Sequence, residues 1–408
     1  MSAFVGSYRD EMDASYAADF GRDREPIQKR SRFPEYRRKG GSPSRVNGMH
    51  CRRNKRWTWG SGRGARMANV RAFASCVAVA WASAAATSFG STFVTINNAG
   101  NTANPANGLG AVSTTFRMAN TETTNSQYVA FLNAVATASD PFSLYDARMN
   151  SSINGGIVRS GSAGAFTYAL KTDVPNRGTM PVNFVNWFDA ARYVNWLQTG
   201  NTEAGAYTLS GQTTGPIPAR NANAAYWLPS QNEWFKAAFY KGSNSTYNNW
   251  GTGSNTKPTA TTANTNPSAN FNQTVNAGST SVVGLNSVTN YSASLSAYGL
   301  YNMMGSVWEM VDNGSTAGTS AFNTFGGSWR TTEANMDLYA SNLATPYYVG
   351  FTTSTASDSV GFRVAAAVPE PGTIALAATG MFGMFGAGWM KRRKRQAQLL
   401  AAAKAIAA

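Results

Sequence analysis

Gly299-Leu300-Tyr301-Asn302-Met303-Met304-Gly305-Ser306-Val307-Trp308-Glu309-Met310 is the stretch on which the reading of this 408-residue chain turns. It packs apolar and aromatic residues around two small-residue breaks and holds a single carboxylate, Glu309, between Trp308 and Met310. A carboxylate in such company is costly to desolvate unless something pairs with it. Two solutions are open. A hard cation is one, because calcium takes oxygens from carboxylates, amide side chains and backbone carbonyls. Asn302, the carbonyls of Gly305 and Val307, and Glu309 would supply that mix from one tight segment. The other is a buried glutamate bonded to backbone amides or to an arginine.

Working outward, three short helices announce themselves by their caps. Thr124 with Gln127 three residues on forms a capping box, followed at helical spacing by Tyr128, Phe131, Leu132 and Val135. Asn186 caps a second helix, with Asp189 at the favourable third position, Ala190, Tyr193, Val194 and Leu197 as core stripe, and Gly200 as terminator. Ser230 caps a third, Glu233 closes its box and Gly242 is expected to end it. Before the first helix, Phe93-Val94-Thr95-Ile96 and Phe116-Arg117-Met118 read as short strands between Asn/Gly/Pro turns. Residues 242–290 are rich in Asn, Thr, Ser and Gly and read as an insert, with Tyr247, Trp250 and Phe271 docking parts of it on the surface. Phe325-Gly326-Gly327-Ser328-Trp329-Arg330 and Val360-Gly361-Phe362-Arg363-Val364 read as closing strands whose glycines allow close backbone approach. Trp329 and Phe362 are expected in the core, and Arg330 and Arg363 as structural ion-pair partners.

These blocks, in this order, resemble the formylglycine-generating enzyme (sulfatase-modifying factor) family. The opening stretch is similar to its Gly-Leu-Tyr-Asn-Met-x-Gly-Asn-x-Trp-Glu-Trp signature, departing at Ser306 and Met310. Glu122-Thr123-Thr124-Asn125-x-x-Tyr128-x-x-Phe131 is similar to Glu-Val-Thr-Asn-x-x-Tyr-x-x-Phe, and Trp227-Leu228-Pro229-Ser230 to Glu233-Trp234 follows Arg-Leu-Pro-Thr-Glu-Ala-Glu-Trp, with Trp227 where the family has Arg. The resemblance spans residues 93–366 and implies an α+β fold, formylglycine-generating-enzyme-like and related to C-type lectins. That fold has short helices, small twisted sheets and much irregular backbone. It also implies a structural calcium held by Asn302, Gly305, Val307 and Glu309. A second calcium site is implied in 242–290, whose residues cannot be assigned from the sequence.

Charge separates this domain from its ends. Residues 1–66 hold 16 basic and 7 acidic residues and 391–408 hold 6 basic ones and no acid, so 67–390 keep 13 of each. With no basic excess to track phosphates, nucleic acid is not an expected partner. Met67 to Arg71 open a charged n-region, Ala72 to Ala82 form an apolar run and Ser83-Ala84-Ala85-Ala86 follow, the pattern of a signal peptide over 67–86 cut after Ala86. A signal peptide that begins inside the chain makes the low-order basic prefix 1–66 an expected gene-start artefact, which a peptide from that prefix in the native host would refute. At the other end, residues 372–390 carry no charge and precede Lys391-Arg392-Arg393-Lys394-Arg395. Nineteen such residues suffice to span a hydrocarbon core of about 30 Å as a helix. The basic stop places 87–371 outside. An ordinary C-terminal anchor fits these features. Together with Pro369-Glu370-Pro371, residues 367–395 also resemble the PEP-CTERM sorting signal, followed by a tail, 396–408, that is longer than usual. That resemblance implies processing by an exosortase-type membrane protease and transient anchoring in the inner membrane through the C-terminal helix. It also implies export to the cell envelope or extracellular matrix of a Gram-negative bacterium that makes exopolysaccharide.

The chain has two cysteines, Cys51 and Cys76, and one histidine, His50, all before residue 87. The exported part therefore has no disulfide, no thiolate nucleophile, no Ser-His pair and no imidazole metal site. Formylglycine-generating enzymes hold copper with two cysteines between the Gly-Gly-Ser-Trp and Gly-Phe-Arg blocks, and an iron-dependent branch uses histidines. Thr331 to Val360 contains neither. Copper and iron are thus not expected, nor is formylglycine-generating activity. Two readings stand: a non-catalytic matrix domain whose Trp, Tyr, Asn, Ser and Thr suit polysaccharide or protein binding, and an enzyme whose site is unfamiliar.

Overall fold

In a computed structural model of the chain, the described residues are 91–260, 267–273, 284–312, 320–344 and 348–369, all within the second of two units, residues 68–408. The expected signal peptide and the candidate span at 372–390 lie outside them. Among the described residues no helix is long and apolar enough to cross a membrane.

The elements are short. Strands β1 (Phe93–Ile96) and β2 (Phe116–Ala119) precede helices α1 (Asn125–Val135) and α2 (Arg148–Ser151). Hairpin strands β3 (Ile157–Ser160) and β4 (Thr167–Leu170) lead through a 3-10 turn at Arg177–Thr179 to α3 (Trp187–Thr199). Next come β5 (Tyr226–Trp227), α4 (Gln231–Phe239) and the strand pair β6 (Tyr240–Lys241) and β7 (Thr246–Tyr247). Strands β8 (Trp308–Met310) and β9 (Ala321–Phe325) follow, then α5 (Glu333–Met336) with a 3-10 turn at Asp337–Tyr339. Strands β10 (Val349–Thr352), β11 (Val360–Gly361) and β12 (Ala365–Ala366) close the fold. Two four-stranded sheets result, in the orders β1-β2-β12-β5 and β10-β9-β8-β11. Among the described strands, only β8 and β11 pair in parallel.

The caps hold as read. Thr124, Asn186 and Ser230 each accept from the third-position amide, while Gln127, Asp189 and Glu233 reach back to the cap. Gly200 ends α3 in the left-handed conformation, at φ 72°. Every residue of α3 from Trp187 to Trp196 is buried, far more than the expected stripe, as befits a helix packed on all sides. Its Tyr193 touches Tyr128, Phe131 and Phe362 and joins the first and last blocks of the chain.

Two expectations need correction. Gly242 does not end α4: the helix stops at Phe239, because Tyr240 turns extended and pairs with Tyr247. Nor are Gly326 and Gly327 strand residues. They follow β9 with φ of 90° and 79°, a left-handed turn that ordinary side chains resist. Gly361 is the close approach expected of such glycines, with a β-carbon there falling 2.7 Å from the Val182 carbonyl oxygen. Trp329, Phe362, Trp250 and Phe271 are buried.

Candidate functional site

The opening stretch is a string of tight turns that delivers one strand to the middle of a sheet. Gly299, Asn302, Gly305 and Ser306 all have positive φ, and β8 then runs between β9 and β11 with all three of its residues buried. Ser306, at φ 66°, takes a conformation that Asn or Gly adopts more readily than Ser.

Glu309 meets its partner on the third residue of Gly361-Phe362-Arg363. Arg363 donates through Nε to Oε2 (2.8 Å) and through Nη2 to Oε1 (2.6 Å), and Trp234 Nε1 donates to Oε2 (2.7 Å). The fork-on-fork geometry is the strongest form of such a pair. Arg363 also donates to the carbonyls of Ala119 (3.0 Å) and Tyr301 (2.8 Å). A second carboxylate shares this guanidinium: Glu122 Oε2 lies 3.9 Å from Arg363 Nη2 and accepts from Asn302 Nδ2 at 3.2 Å. Glu122 Oε1 has no hydrogen-bond partner. Burial pushes the Glu122 carboxyl up to about 7; Arg363 and the Ser306 hydroxyl pull it down, and Glu309 adds to the rise.

Where the four expected calcium ligands fall bears directly on the metal. Both Glu309 oxygens are committed to Arg363 and Trp234, and the guanidinium takes the place on that carboxylate that a divalent cation would need. Asn302 turns its amide nitrogen to Glu122 and to the Val288 carbonyl (3.1 Å). Val307 packs with Met180, Leu285 and Trp329. The Glu309 side chain therefore does not fit a calcium ion in this arrangement. An unpaired acceptor does lie alongside. Asn270 bridges Gly305 through the backbone and accepts from Ser306 N at 2.7 Å, and its buried Oδ1 has no partner. Sequence reasoning missed it, because nothing local ties an Asn in a polar insert to a turn 35 residues on. Among the described residues no three His, Cys, Asp or Glu side chains gather where they could hold a metal.

A second network replaces the arginine that the third helix motif lacks. Arg220, from a loop, puts its guanidinium over the Trp227 ring (4.9 Å) and pairs with Glu233 Oε2 (3.1 Å) and Asp312 Oδ2 (3.7 Å). Trp227 Nε1 donates to Glu233 (3.0 Å), and Tyr207 donates its hydroxyl to Asp312 (3.1 Å). The charge that Trp227 cannot supply thus arrives from seven residues upstream. Asp189, buried in its capping box, is raised to about 8 by desolvation. An open groove of about 580 Å³ is lined by residues 170–179, but its charges pair with one another, Asp173 with Arg177 (2.8 Å) and Lys171 (3.1 Å).

The fold and its buried ion pairs define a loop-rich α+β domain with a formylglycine-generating-enzyme-like fold. The family described as sulfatase-modifying factor enzyme 1-like domain matches residues 52–368, and the chain belongs to it. The PEP-CTERM protein-sorting motif matches residues 367–394. No match is found among curated proteins. Among solved structures, the chain is similar to CarF at 20% identity and TM-score 0.42, over 68% of this chain and 98% of that one. It is also similar to Treponema denticola variable protein 1 at 19% and 0.37, over 68% and 95%. PvdO from Pseudomonas aeruginosa follows at 17% and 0.35, over 68% and 92%.

Proposed function

We propose that this is an exported, non-catalytic member of its family that binds extracellular polysaccharide or protein at the cell surface or in the matrix. The observation that carries the reading is the fate of the segment where the family holds its copper. From Thr331 to Val360 there is no cysteine or histidine, and the segment builds core instead: Met336 of α5 is buried, and Tyr339 packs edge-on against Trp308 at 5.2 Å. The buried carboxylates Glu122, Asp189, Glu233, Glu309 and Asp312 each accept a hydrogen bond within a cap, an ion pair or a side-chain network, while Glu122 Oε1 and Asp189 Oδ1 have no hydrogen-bond partner. Export rests on the sorting motif; processing there implies an exosortase-type protease as partner.

The test uses the purified mature protein in two assays. Binding to the host's exopolysaccharide and surface proteins is read by calorimetry, and a peptide carrying a sulfatase-motif cysteine is incubated with copper and oxygen and read by mass spectrometry. Binding without conversion is expected. Conversion of the cysteine would sink the non-catalytic reading and leave the family's enzymatic one.

A structural calcium remains part of this proposal, favoured by one observation, the unpartnered Asn270 Oδ1 beside Gly305 and Ser306. Calcium that binds only the folded state raises its stability. A chelator should then lower the melting temperature of the parent but not that of Asn270→Ala. Equal melts with and without chelator would remove the metal.

A further inference from the structure

The fold ends where the sorting motif begins. Strand β12 is an inner strand: Ala365 and Ala366 pair with Met118 and Arg117 on one side and with Trp227 and Tyr226 on the other. Hydrogen bonds continue past both its ends. Ala119 N donates to the Val364 carbonyl at 2.8 Å, Ala367 N donates to the Ala225 carbonyl at 3.0 Å, and Arg117 Nε donates to the Ala367 carbonyl at 2.9 Å. Exposure changes abruptly at this clamp. Val364, Ala365 and Ala366 are buried, Ala367 is half-buried, and Val368 and Pro369 are exposed. Residue 367, where the chain leaves the sheet, is also the first residue of the matched motif.

A protease takes its substrate extended, with main-chain groups free to pair with the enzyme and not with a neighbouring strand. Up to Ala367 those groups are taken. We infer that the sorting enzyme cuts C-terminal to Ala367, and that the clamped end of β12 is the stop that sets this limit. The cut breaks one peptide bond: its carbonyl carbon gains an oxygen from water, or the nitrogen of an acceptor amine, and the downstream segment departs as a free amine. A cut further upstream needs β12 to peel away from both neighbours. That opening exposes β2 and β5 and, once it passes Arg363, takes away the counter-ion of Glu309.

The experiment is made on the full chain in a host that carries the sorting system. The released protein is recovered folded and its C-terminus mapped by mass spectrometry. Every released chain is expected to end at Ala367 or later. A C-terminus within 360–366 on protein that melts like the unprocessed chain overturns the inference. A variant lacking Ala367 and Val368 moves the motif onto the strand. Pro369 then stands where Ala367 stood and has no N–H for the Ala225 carbonyl, so two of the three hydrogen bonds guard the site, each worth about a factor of five, and processing should slow roughly 25-fold. Processing of that variant at the parental rate, with an unchanged melt, also overturns it. If the deletion prevents folding, a Gly-Ser-Gly-Ser spacer between Val368 and Pro369 decides. It leaves the clamp intact, and processing at the parental rate or faster, with every terminus still at or beyond Ala367, is expected. Slower processing of the spacer variant, or a terminus upstream of Ala367, refutes the stop.

Discussion

At Glu122 a carboxylate is buried beside another carboxylate with one guanidinium between them, and the cost appears as a carboxyl raised from 4.5 to about 7. Between those values the folded protein keeps a proton that the unfolded chain has released. This contribution to stability is therefore complete below pH 4.5 and is lost as pH rises through 7. The full swing is on the order of 3 kcal/mol. Asp189, raised to about 8, slopes the same way. Glu122→Gln, neutral at every pH, should flatten this part of the curve and unfold at higher urea than the parent at pH 8. Equal pH slopes for parent and variant would show that Glu122 is not the titrating group. Lys236 behaves oppositely. Buried with Nζ on the Asn98 carbonyl (2.9 Å), its ammonium is held down from 10.5 to about 8 by desolvation. The unfolded chain binds the extra proton in that window, so stability should rise from pH 8 to 10.5, and Lys236→Met should abolish the rise in the same titration.

At the scale of elements, what was legible in the sequence is what is decided locally. The three capping boxes need residues only three apart, and all three form. The end of α4 was misread because it depends on β7, an element further on that captures Tyr240. Arg220 was invisible for a similar reason: no spacing rule links a loop arginine to Trp227, Glu233 and Asp312 before the chain is folded. Glycines divide along the same line. A β-carbon on Gly361 would stand 2.7 Å from the Val182 carbonyl oxygen and 2.9 Å from Val307 Cγ2, and neither β11 nor its neighbour can retreat without breaking the parallel pairing to β8. Gly361→Ala should cost about 1–3 kcal/mol by overpacking. Gly350, in the edge strand β10, has only Asn323 Oδ1 near the same point, at 3.9 Å. Gly350→Ala should be neutral or slightly stabilising, since it lowers the entropy of the unfolded chain. Urea unfolding of the two variants side by side checks the contrast; similar losses would mean that packing at β11 is looser than the distances require.

For the molecule as a whole, Arg363 is the tie between the sheets. One guanidinium binds Ala119 in β2 of the first sheet, Glu309 in β8 of the second and Tyr301 in the turn segment that leads into β8. The sequence displayed Glu309 and Arg363 as members of separate blocks 54 residues apart, and allowed a metal or an arginine as the answer to a buried carboxylate. Only the parallel pairing of β11 with β8 brings Gly361 beside Glu309 and carries Arg363 to the carboxylate. Removing the guanidinium strands two buried carboxylates and two carbonyls at once. Arg363→Met should therefore destabilise the domain by about 3–5 kcal/mol, the range for breaking one side of a buried pair. Lysine cannot replace it, since an ammonium lacks the planar fork that serves Glu309 and two carbonyls together. Removing Glu309 as well should recover part of the loss. In a double-mutant cycle, Arg363→Met with Glu309→Leu should lose less than the sum of the two single variants, by at least about 1 kcal/mol. Additive losses would mean that the carboxylate finds another partner when the arginine is gone. A calcium ion near Asn270 would be the first candidate, and chelation of the Arg363→Met protein would then lower its stability further.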